Sequence, residues 1–262
     1  MRYGFLKTWL YLPVVLAMAA APALADEAGG AKSPFSSPEE EQKLRRAMEA
    51  LTGGKPSGAH RPKDPHLALG PEKLIRVALQ HLDEGRPDHA VTTLSDALKR
   101  FPGDGGILLV RGSLLLQQGK TADALRDLEQ AARATPDKAA IYVNRAQAYR
   151  RFERDREALA DLDRAIELDP DSIAARFNRG SMHFNAGRFE KALADFERCI
   201  AIDPHAAPPY FNLAATREQL GDKAGAAADL KRFLELAKAE EWRKLAEKKL
   251  AELVKPAAKT KE

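Results

Sequence analysis

The chain has 262 residues, of which 44% are hydrophobic and 31% charged, and its formal net charge is +4. The near balance of 42 basic and 38 acidic residues gives little reason to expect a nucleic-acid partner. A single cysteine excludes an internal disulfide, so stability must come from buried apolar surface, for which the chain is long enough.

Residues 1–25 have the pattern of a secretory signal peptide. Arg2 and Lys7 precede an apolar run that begins at Trp9, and a small-residue cleavage signal ends at Ala25. This run has 17 residues and contains two prolines, which is short for a hydrocarbon core about 30 Å thick. We expect cleavage after Ala25 and an exported, periplasmic protein without a further membrane span. Retention of the segment as a membrane anchor is the alternative.

Residues 26–70 predict three short segments before the main domain. Residues 26–36 are rich in Ala, Gly, Ser and Pro, which is typical of a flexible leader. A capping box and an apolar stripe predict an amphipathic helix at about 37–52. The stripe consists of Leu44, Met48 and Leu51. Gly and Pro dominate residues 53–70, which we therefore interpret as a linker.

From residue 71 the sequence repeats every 34 residues without a gap. The five units are 71–104, 105–138, 139–172, 173–206 and 207–240. Counted within a unit, position 20 is always alanine, position 8 is always alanine or glycine, and position 15 is glycine in four units. Position 32 is proline in the first four units. Five copies in phase indicate a repeat architecture.

The columns of the repeat predict two helices in each unit. Positions 4, 7, 8 and 11 share one face of a first helix, and positions 20, 24, 27 and 28 share one face of a second. Glycine at position 15 separates the two helices, and proline at position 32 ends the second. Small residues at positions 8 and 20 let the helices approach closely. Because one hairpin cannot bury its own apolar face, the units must stack into a solenoid.

This period and these columns resemble the tetratricopeptide repeat family. The resemblance implies an all-α, right-handed α-solenoid of five 34-residue helix–turn–helix repeats, whose first helices line a concave groove. Glu153 departs from the pattern, since it replaces glycine at position 15 and leaves the local turn shape in question. Residues 239–255 predict a C-terminal capping helix with an apolar side that includes Trp242, and residues 256–262 predict a disordered tail.

The resemblance places positions 2, 5, 9 and 12 of the first helices in the groove, and the asparagines at position 6 lie next to them. Position 5 is apolar in every unit and becomes phenylalanine in the last two, and position 6 is asparagine in three consecutive units. A carboxamide can pair with a peptide backbone, although it could equally tie adjacent helices together. The predicted partner-binding residues are Val143, Asn144, Gln147, Arg150, Phe177, Asn178, Ser181, Phe184, Phe211 and Asn212.

Two further sets of residues need an interpretation. His183, Asp195 and Cys199 have the chemistry of a nucleophilic triad, but Cys199 lies at position 27, where three other units have alanine. We therefore interpret Cys199 as a small buried residue. The second set is arginine at position 7 with aspartate at position 23, which predicts ion pairs within a unit or between neighbouring units. It comprises Arg111, Arg145 and Arg179 with Asp127, Asp161 and Asp195.

The sequence thus predicts a non-enzymatic scaffold that binds a peptide or a partner protein in its groove, with no cofactor and no metal site. Two alternatives remain. One is an assembly factor or chaperone for an unfolded client, such as an apocytochrome or an outer-membrane protein. The other is a self-assembling homo-oligomer, in which the 37–52 helix of one chain fills the groove of another.

Overall fold

The computed structural model describes residues 69–255, which contain eleven α-helices and no β-strand. The helices are α1 (Pro71–Asp83), α2 (Pro87–Arg100), α3 (Gly105–Gln117), α4 (Thr121–Ala134), α5 (Ala139–Arg151), α6 (Asp155–Leu168), α7 (Ile173–Asn185), α8 (Phe189–Ile202), α9 (Ala207–Gln219), α10 (Lys223–Leu236) and α11 (Glu240–Val254). The predicted signal peptide, the 37–52 helix, most of the linker and the tail lie outside the described residues.

The helices pack as an all-α solenoid, as the repeat predicts. Each unit contributes a first and a second helix that pack against each other, from α1 with α2 to α9 with α10. Each second helix also contacts the first helix of the next unit, and consecutive first helices touch one another. The apolar face of every hairpin is therefore covered by its neighbours, which is how stacked repeats form a continuous core.

Small residues mark the crossing of the two helices in each unit. The position 20 alanines are all 0% exposed, namely Ala90, Ala124, Ala158, Ala192 and Ala226. At position 8 of the fourth unit, a methyl group on Gly180 would lie 3.0 Å from Cε1 of Phe196 and 3.1 Å from Cβ of Asp195. Close packing of the two helices thus explains why positions 8 and 20 hold only alanine or glycine, as predicted.

The turn between the two helices has the same backbone shape in every unit. Position 15 has positive φ angles of 71°, 75°, 71° and 83° at Gly85, Gly119, Gly187 and Gly221. Glu153 takes φ 58° at the equivalent place. The third unit therefore keeps the turn and holds a non-glycine residue in the left-handed region, which costs about 1–2 kcal/mol.

In units three, four and five, the side chain at position 4 links the start of the unit to the end of the one before. The hydroxyl of Tyr142 donates to the carbonyl of Pro136 at 2.9 Å, and that of Tyr210 donates to the carbonyl of Pro204 at 3.1 Å. In the fourth unit Arg176 replaces tyrosine, and its guanidinium donates to the carbonyl of Pro170. Tyrosine or arginine at position 4 thus donates to the carbonyl group at position 32 of the preceding unit.

The predicted arginine–aspartate pairs are confirmed in units two, three and four. Each guanidinium donates from Nε and Nη2 to both oxygens of its aspartate, with distances between 2.6 and 2.9 Å. The pairs are Arg111 with Asp127, Arg145 with Asp161, and Arg179 with Asp195. All three aspartates are buried. Hydrogen bonding to the carboxylate raises the pKa of Arg145 and of Arg179.

Two of these arginines also reach the preceding unit. Nη1 of Arg111 donates to Oγ of Ser95 at 3.1 Å, and Nη1 of Arg179 donates to a carboxylate oxygen of Asp163 at 2.8 Å. Ser95 and Asp163 both occupy position 25 of the preceding unit. One guanidinium therefore links both helices of its own unit to the unit before, which fixes the stacking of neighbouring repeats.

The last helix, α11, covers the end of the fifth unit. It packs on α10 and buries Ala246 in the C-terminal core. The guanidinium of Arg243 donates to the carbonyl oxygens of Leu234 and Ala237, where α10 ends. The helix lies inside the predicted range 239–255 and gives the apolar end of the fifth unit a charged outer surface.

Candidate functional site

The predicted partner-binding residues lie on three consecutive first helices that contact one another: α5, α7 and α9. Helix α5 carries Val143, Asn144, Gln147 and Arg150. Helix α7 carries Phe177, Asn178, Ser181 and Phe184, and α9 carries Phe211 and Asn212. We call the face of these helices that bears the ten residues the groove face.

A pocket of about 490 Å³, including the solvent at its mouth, opens at the C-terminal end of the groove face. Half of the predicted residues line it, namely Phe177, Ser181, Phe184, Phe211 and Asn212. The other five lining residues are not among the predicted ones: Asn185 on α7, Phe196 on α8, Pro208 on α9, Phe233 on α10 and Trp242 on α11. Every one of these ten lining side chains is uncharged.

Ring contacts hold the aromatic walls of the pocket in place. Phe177 meets Phe196 edge-on at a centroid distance of 5.8 Å, so the groove face of α7 rests on the second helix of its own unit. Phe211 contacts Phe233 at 5.2 Å and stands perpendicular to Trp242 at 5.4 Å. The capping helix thus contributes directly to the pocket.

Phe211 differs from the other two predicted aromatic residues. Its side chain is 4% exposed and belongs to the C-terminal core, whereas Phe177 and Phe184 are half-buried. The sequence predicted all three in the groove. In the structure Phe211 serves both, because it lines the pocket and its ring also contacts Phe233 of α10 and Trp242 of α11.

The part of the groove face on α5 is polar and buried. Asn144 is 0% exposed, and neither atom of its carboxamide has a hydrogen-bond partner. Nε2 of Gln147 on the same helix and Oγ of Ser113 on α3 are also buried and unpaired. Val143 is buried beside them, and Arg150 is half-buried in the last turn of α5. Three orphan polar side chains thus lie on two adjacent first helices.

The two later asparagines of the column have different surroundings. Nδ2 of Asn178 donates to the carbonyl of Ala174 at 2.9 Å, within its own helix. Ser181 likewise donates to the carbonyl of Phe177 at 2.8 Å. Asn212 is half-buried at the rim of the pocket, and its side chain bonds no described residue. One column therefore holds a buried, unpaired carboxamide in unit three, an engaged amide in unit four and a half-buried carboxamide in unit five.

The arrangement of His183, Asp195 and Cys199 argues against a nucleophilic triad. Both carboxylate oxygens of Asp195 accept hydrogen bonds from Arg179. Within the described residues, no hydrogen bond joins His183 to either of the other two. Burial raises the pKa of the Cys199 thiol to about 12, and burial followed by the charge of Arg188 lowers the pKa of His183. Cys199 is fully buried, as the repeat predicted.

Other chemistry is sparse between residues 69 and 255. This stretch brings together no group of three histidine, cysteine, aspartate or glutamate side chains that could hold a metal ion. Nor does any helix within it combine the length and the apolar character needed to cross a bilayer.

Three aromatic residues of the pocket were not predicted as part of the site, because the repeat pattern assigns them to the core or to the cap. Trp242 was predicted on the apolar side of the capping helix, and Phe196 and Phe233 lie in the core columns of second helices. Their part in the pocket depends on how far each ring reaches past its own column, which the repeat phase does not specify. Ser113 occupies position 9, the same column as the predicted Gln147 and Ser181, and that column was the available signal.

Comparison with known families and structures agrees with this architecture. Models described as "Tetratricopeptide repeat" match residues 78–139, 109–173, 145–208 and 207–240, so the matches run unbroken from 78 to 240. Among curated protein sequences, none matches the chain. The solved structures similar to it include several tetratricopeptide repeat proteins.

One is PilW, described as a widely conserved type IV pilus biogenesis factor, which is 25% identical over 70% of this chain and 85% of its own, with a TM-score of 0.62. TTC0263, a thermophilic repeat protein of Thermus thermophilus, is 23% identical over 70% and 98%, with a TM-score of 0.56. YrrB, described as having an unusual peptide-binding site, is 21% identical over 67% and 90%, with a TM-score of 0.53.

Stacked helical repeats of this kind present an extended surface to other proteins, and the fold serves generally as a non-enzymatic scaffold for protein or peptide partners. The unbroken family matches, the 34-residue period and the five stacked helix pairs lead to one conclusion. The chain belongs to the tetratricopeptide repeat family.

Proposed function

We propose that this protein is a non-enzymatic scaffold that holds a peptide, or a peptide-like segment of a partner protein, along the groove face of α5, α7 and α9. Polar pairing would come from Asn144, Gln147 and Asn212, and apolar contact from Phe177 and Phe184. The engaged amide of Asn178 would contribute less, because its donor already bonds Ala174.

The observation that carries this proposal is the set of unpaired polar groups on α3 and α5. A buried donor or acceptor without a partner costs about 1–3 kcal/mol, so such groups are rare in folded proteins unless something else satisfies them. Asn144 leaves both a donor and an acceptor unpaired, and Gln147 adds a donor. Because these atoms are buried, a peptide can reach them only if α3 and α5 separate locally on binding; its backbone N–H and C=O groups would then satisfy both kinds of group.

The proposal predicts that Asn144→Ala separates binding from stability. Peptides selected from a random display library on the full chain should bind this variant at least tenfold more weakly, as judged by fluorescence anisotropy. Its free energy of unfolding should stay unchanged or rise by up to about 1 kcal/mol, because an unsatisfied group is removed. Asn178→Ala is the matched control and should retain affinity within about threefold. Equal affinity of the Asn144→Ala variant and the unmodified chain would contradict the proposal.

We further propose that the protein is exported. The support is the pattern of residues 1–25, with a basic start, an apolar run and a small-residue cleavage signal. N-terminal sequencing of the protein recovered from its native host should begin at Asp26, and the protein should fractionate with the periplasm. A chain that still begins at its first residues and sediments with membranes would favour the anchor instead.

A second candidate is an assembly factor for a cell-envelope machine. It is favoured by the likeness to PilW, which is described as a pilus biogenesis factor and reaches 25% identity. An assembly factor should bind a denatured client more tightly than its folded form, whereas a scaffold should show no preference for the denatured form. Surface plasmon resonance with reduced, unfolded and native forms of one envelope protein would separate the two. Self-association, the remaining alternative, is checked by sedimentation velocity across concentrations.

A further inference from the structure

The capping helix α11 has a closer relation to the binding surface than a cap requires. A cap needs only to cover the apolar end of the fifth unit, and α11 does so through Ala246, Leu250 and Leu253. Trp242 also lines the pocket on the groove face, perpendicular to Phe211 at a centroid distance of 5.4 Å. The pocket is thus closed on one side by a residue outside the five repeat units.

We propose that this pocket is the specificity-determining subsite of the groove, and that it takes one large uncharged side chain, aromatic or branched aliphatic, from the bound peptide. This inference rests on the proposed function of the groove. Trp242 forms the wall against which the anchoring side chain packs, so α11 acts as part of the binding site as well as a cap.

The lining chemistry determines which side chain fits. Six aromatic rings surround the pocket, and none of its ten lining residues is charged. Burying a charged group among such walls without a partner is strongly unfavourable. An aromatic or branched aliphatic side chain is stabilised by burial of its apolar surface, and aromatic pairs gain further from edge-to-face contact.

The rim favours a peptide over a free apolar ligand. The carboxamides of Asn185 and Asn212 stand at the pocket, and neither bonds a described residue. A peptide places an N–H and a C=O on each side of its anchoring residue, within reach of such groups. From the pocket the groove face continues across α7 onto α5, so a chain anchored here has a longer surface to follow.

Charge along the groove face adds a second requirement. The last turn of α5 carries Arg150 at a groove position, whereas the first turn of α11, beside Trp242, carries the exposed Glu240 and Glu241. The neighbouring Arg151 does not count, because its guanidinium donates to the carbonyl of Leu116. Complementarity therefore favours an acidic residue on the side of the anchor that runs toward α5 and a basic residue on the opposite side. The occupant is a peptide of this charge polarity with one large apolar residue between its charged ends.

Synthetic dodecapeptides can test this directly. The set has a Gly/Ser background, two aspartates at one end, two lysines at the other, and a single central Phe, Leu, Lys or Asp. Affinity for the full chain is measured by anisotropy of the labelled peptide and by tryptophan emission, which reports on the pocket because Trp242 is one of only two tryptophans. Phe and Leu peptides should bind at least tenfold more tightly than Lys and Asp peptides, and should shift the emission.

Variants on α11 separate the pocket from the cap. Trp242→Ala should weaken the Phe peptide at least tenfold, and Trp242→Phe should keep its affinity within threefold. Leu253→Ala is the matched control, since it lies on the same helix and in the same core cluster but does not line the pocket. If Leu253→Ala weakens the peptide as much as Trp242→Ala, the loss comes from undocking of the cap, and the inference is overturned.

Failure of the inference and failure of the proposed function give different results. If Asn144→Ala weakens library-selected peptides while Trp242→Ala and the central side chain leave affinity unchanged, the groove binds peptide but the pocket is not its specificity subsite. If Trp242→Ala weakens the Phe peptide while Asn144→Ala has no effect, the pocket binds but the extended groove does not. Equal binding of all four synthetic peptides also overturns the inference.

Discussion

Units two to four and unit five pair the aspartate at position 23 with arginines from different positions. In units two to four, arginine at position 7 donates two hydrogen bonds to aspartate at position 23. In unit five position 7 is Leu213, and the arginine, Arg217, comes from position 11. Its guanidinium donates one hydrogen bond of 2.8 Å to Asp229 and another of 3.0 Å to Glu197.

The difference has a measurable consequence at the carboxylate. Burial raises the pKa of Asp229 to about 6, and its one bond from Arg217 offsets this only in part. The same unit provides Phe211 and Asn212 to the pocket and carries the capping helix. The interior of the solenoid is thus held by paired charges in fixed geometry, while the end that bears the pocket is held by a weaker, shared contact.

The largest expected effect is the loss of a two-bond pair. Asp161→Ala leaves the half-buried guanidinium of Arg145 without its carboxylate, and should lower the free energy of unfolding by about 3 kcal/mol. The matched variant Asp229→Ala should cost less than about 1 kcal/mol, because it removes one hydrogen bond together with an unfavourably buried charge. Urea denaturation followed by circular dichroism measures both. Equal losses would show that the two contacts do not differ in strength.

Position 8 offers a comparison based on packing. Gly180→Ala would place a methyl group 3.0 Å from the Phe196 ring, which is closer than carbon atoms normally approach. We expect a net loss of about 1 kcal/mol, since overpacking outweighs the gain in helix propensity. Gly106→Ala is the control, because its nearest neighbours are the ends of the Asp104 and Ile75 side chains, 3.3 and 3.4 Å away. Thermal unfolding should show no loss there, or a gain.

The turn at position 15 provides a change that should stabilise. Glu153→Gly relieves a left-handed backbone with φ 58° and should raise the free energy of unfolding by about 0.5–1 kcal/mol. Gly221→Ala, in the equivalent turn of unit five at φ 83°, should lower it by a similar amount. Differential scanning calorimetry of both variants checks the pair. A loss of stability in Glu153→Gly would indicate that the glutamate side chain has a stabilising contact.

The last prediction concerns pH. The pKa of Asp229 in the folded state, about 6, lies above the ordinary value of about 4 for an unfolded chain. The folded state therefore binds the extra proton, and the contribution of Asp229 to stability falls as pH rises from about 4 to about 6. Asp229→Asn does not titrate, so its melting temperature should rise relative to the unmodified protein across this interval and run parallel above pH 7. A constant difference at every pH would contradict the shift.

The repeat phase predicts the fold well because each column has one packing role. Alanine at position 20 is fully buried in every unit, and the arginine–aspartate pairs form where the columns placed them. The candidate site is less predictable, because it depends on contacts between columns. The ring of Trp242 reaches Phe211 from a helix outside the repeat, and Asn178 turns its amide to its own helix while Asn144 does not.

Peptide binding on the groove face of the first helices is the proposal on which the other inferences rest. The most direct test is an amide chemical-shift map of the full chain, recorded with a library-selected peptide. The account predicts that the largest shifts fall on α5, α7 and α9, around Asn144, Phe184 and Asn212, with little change on α6 and α8. Shifts concentrated on those second helices, with α5, α7 and α9 unchanged, would contradict it.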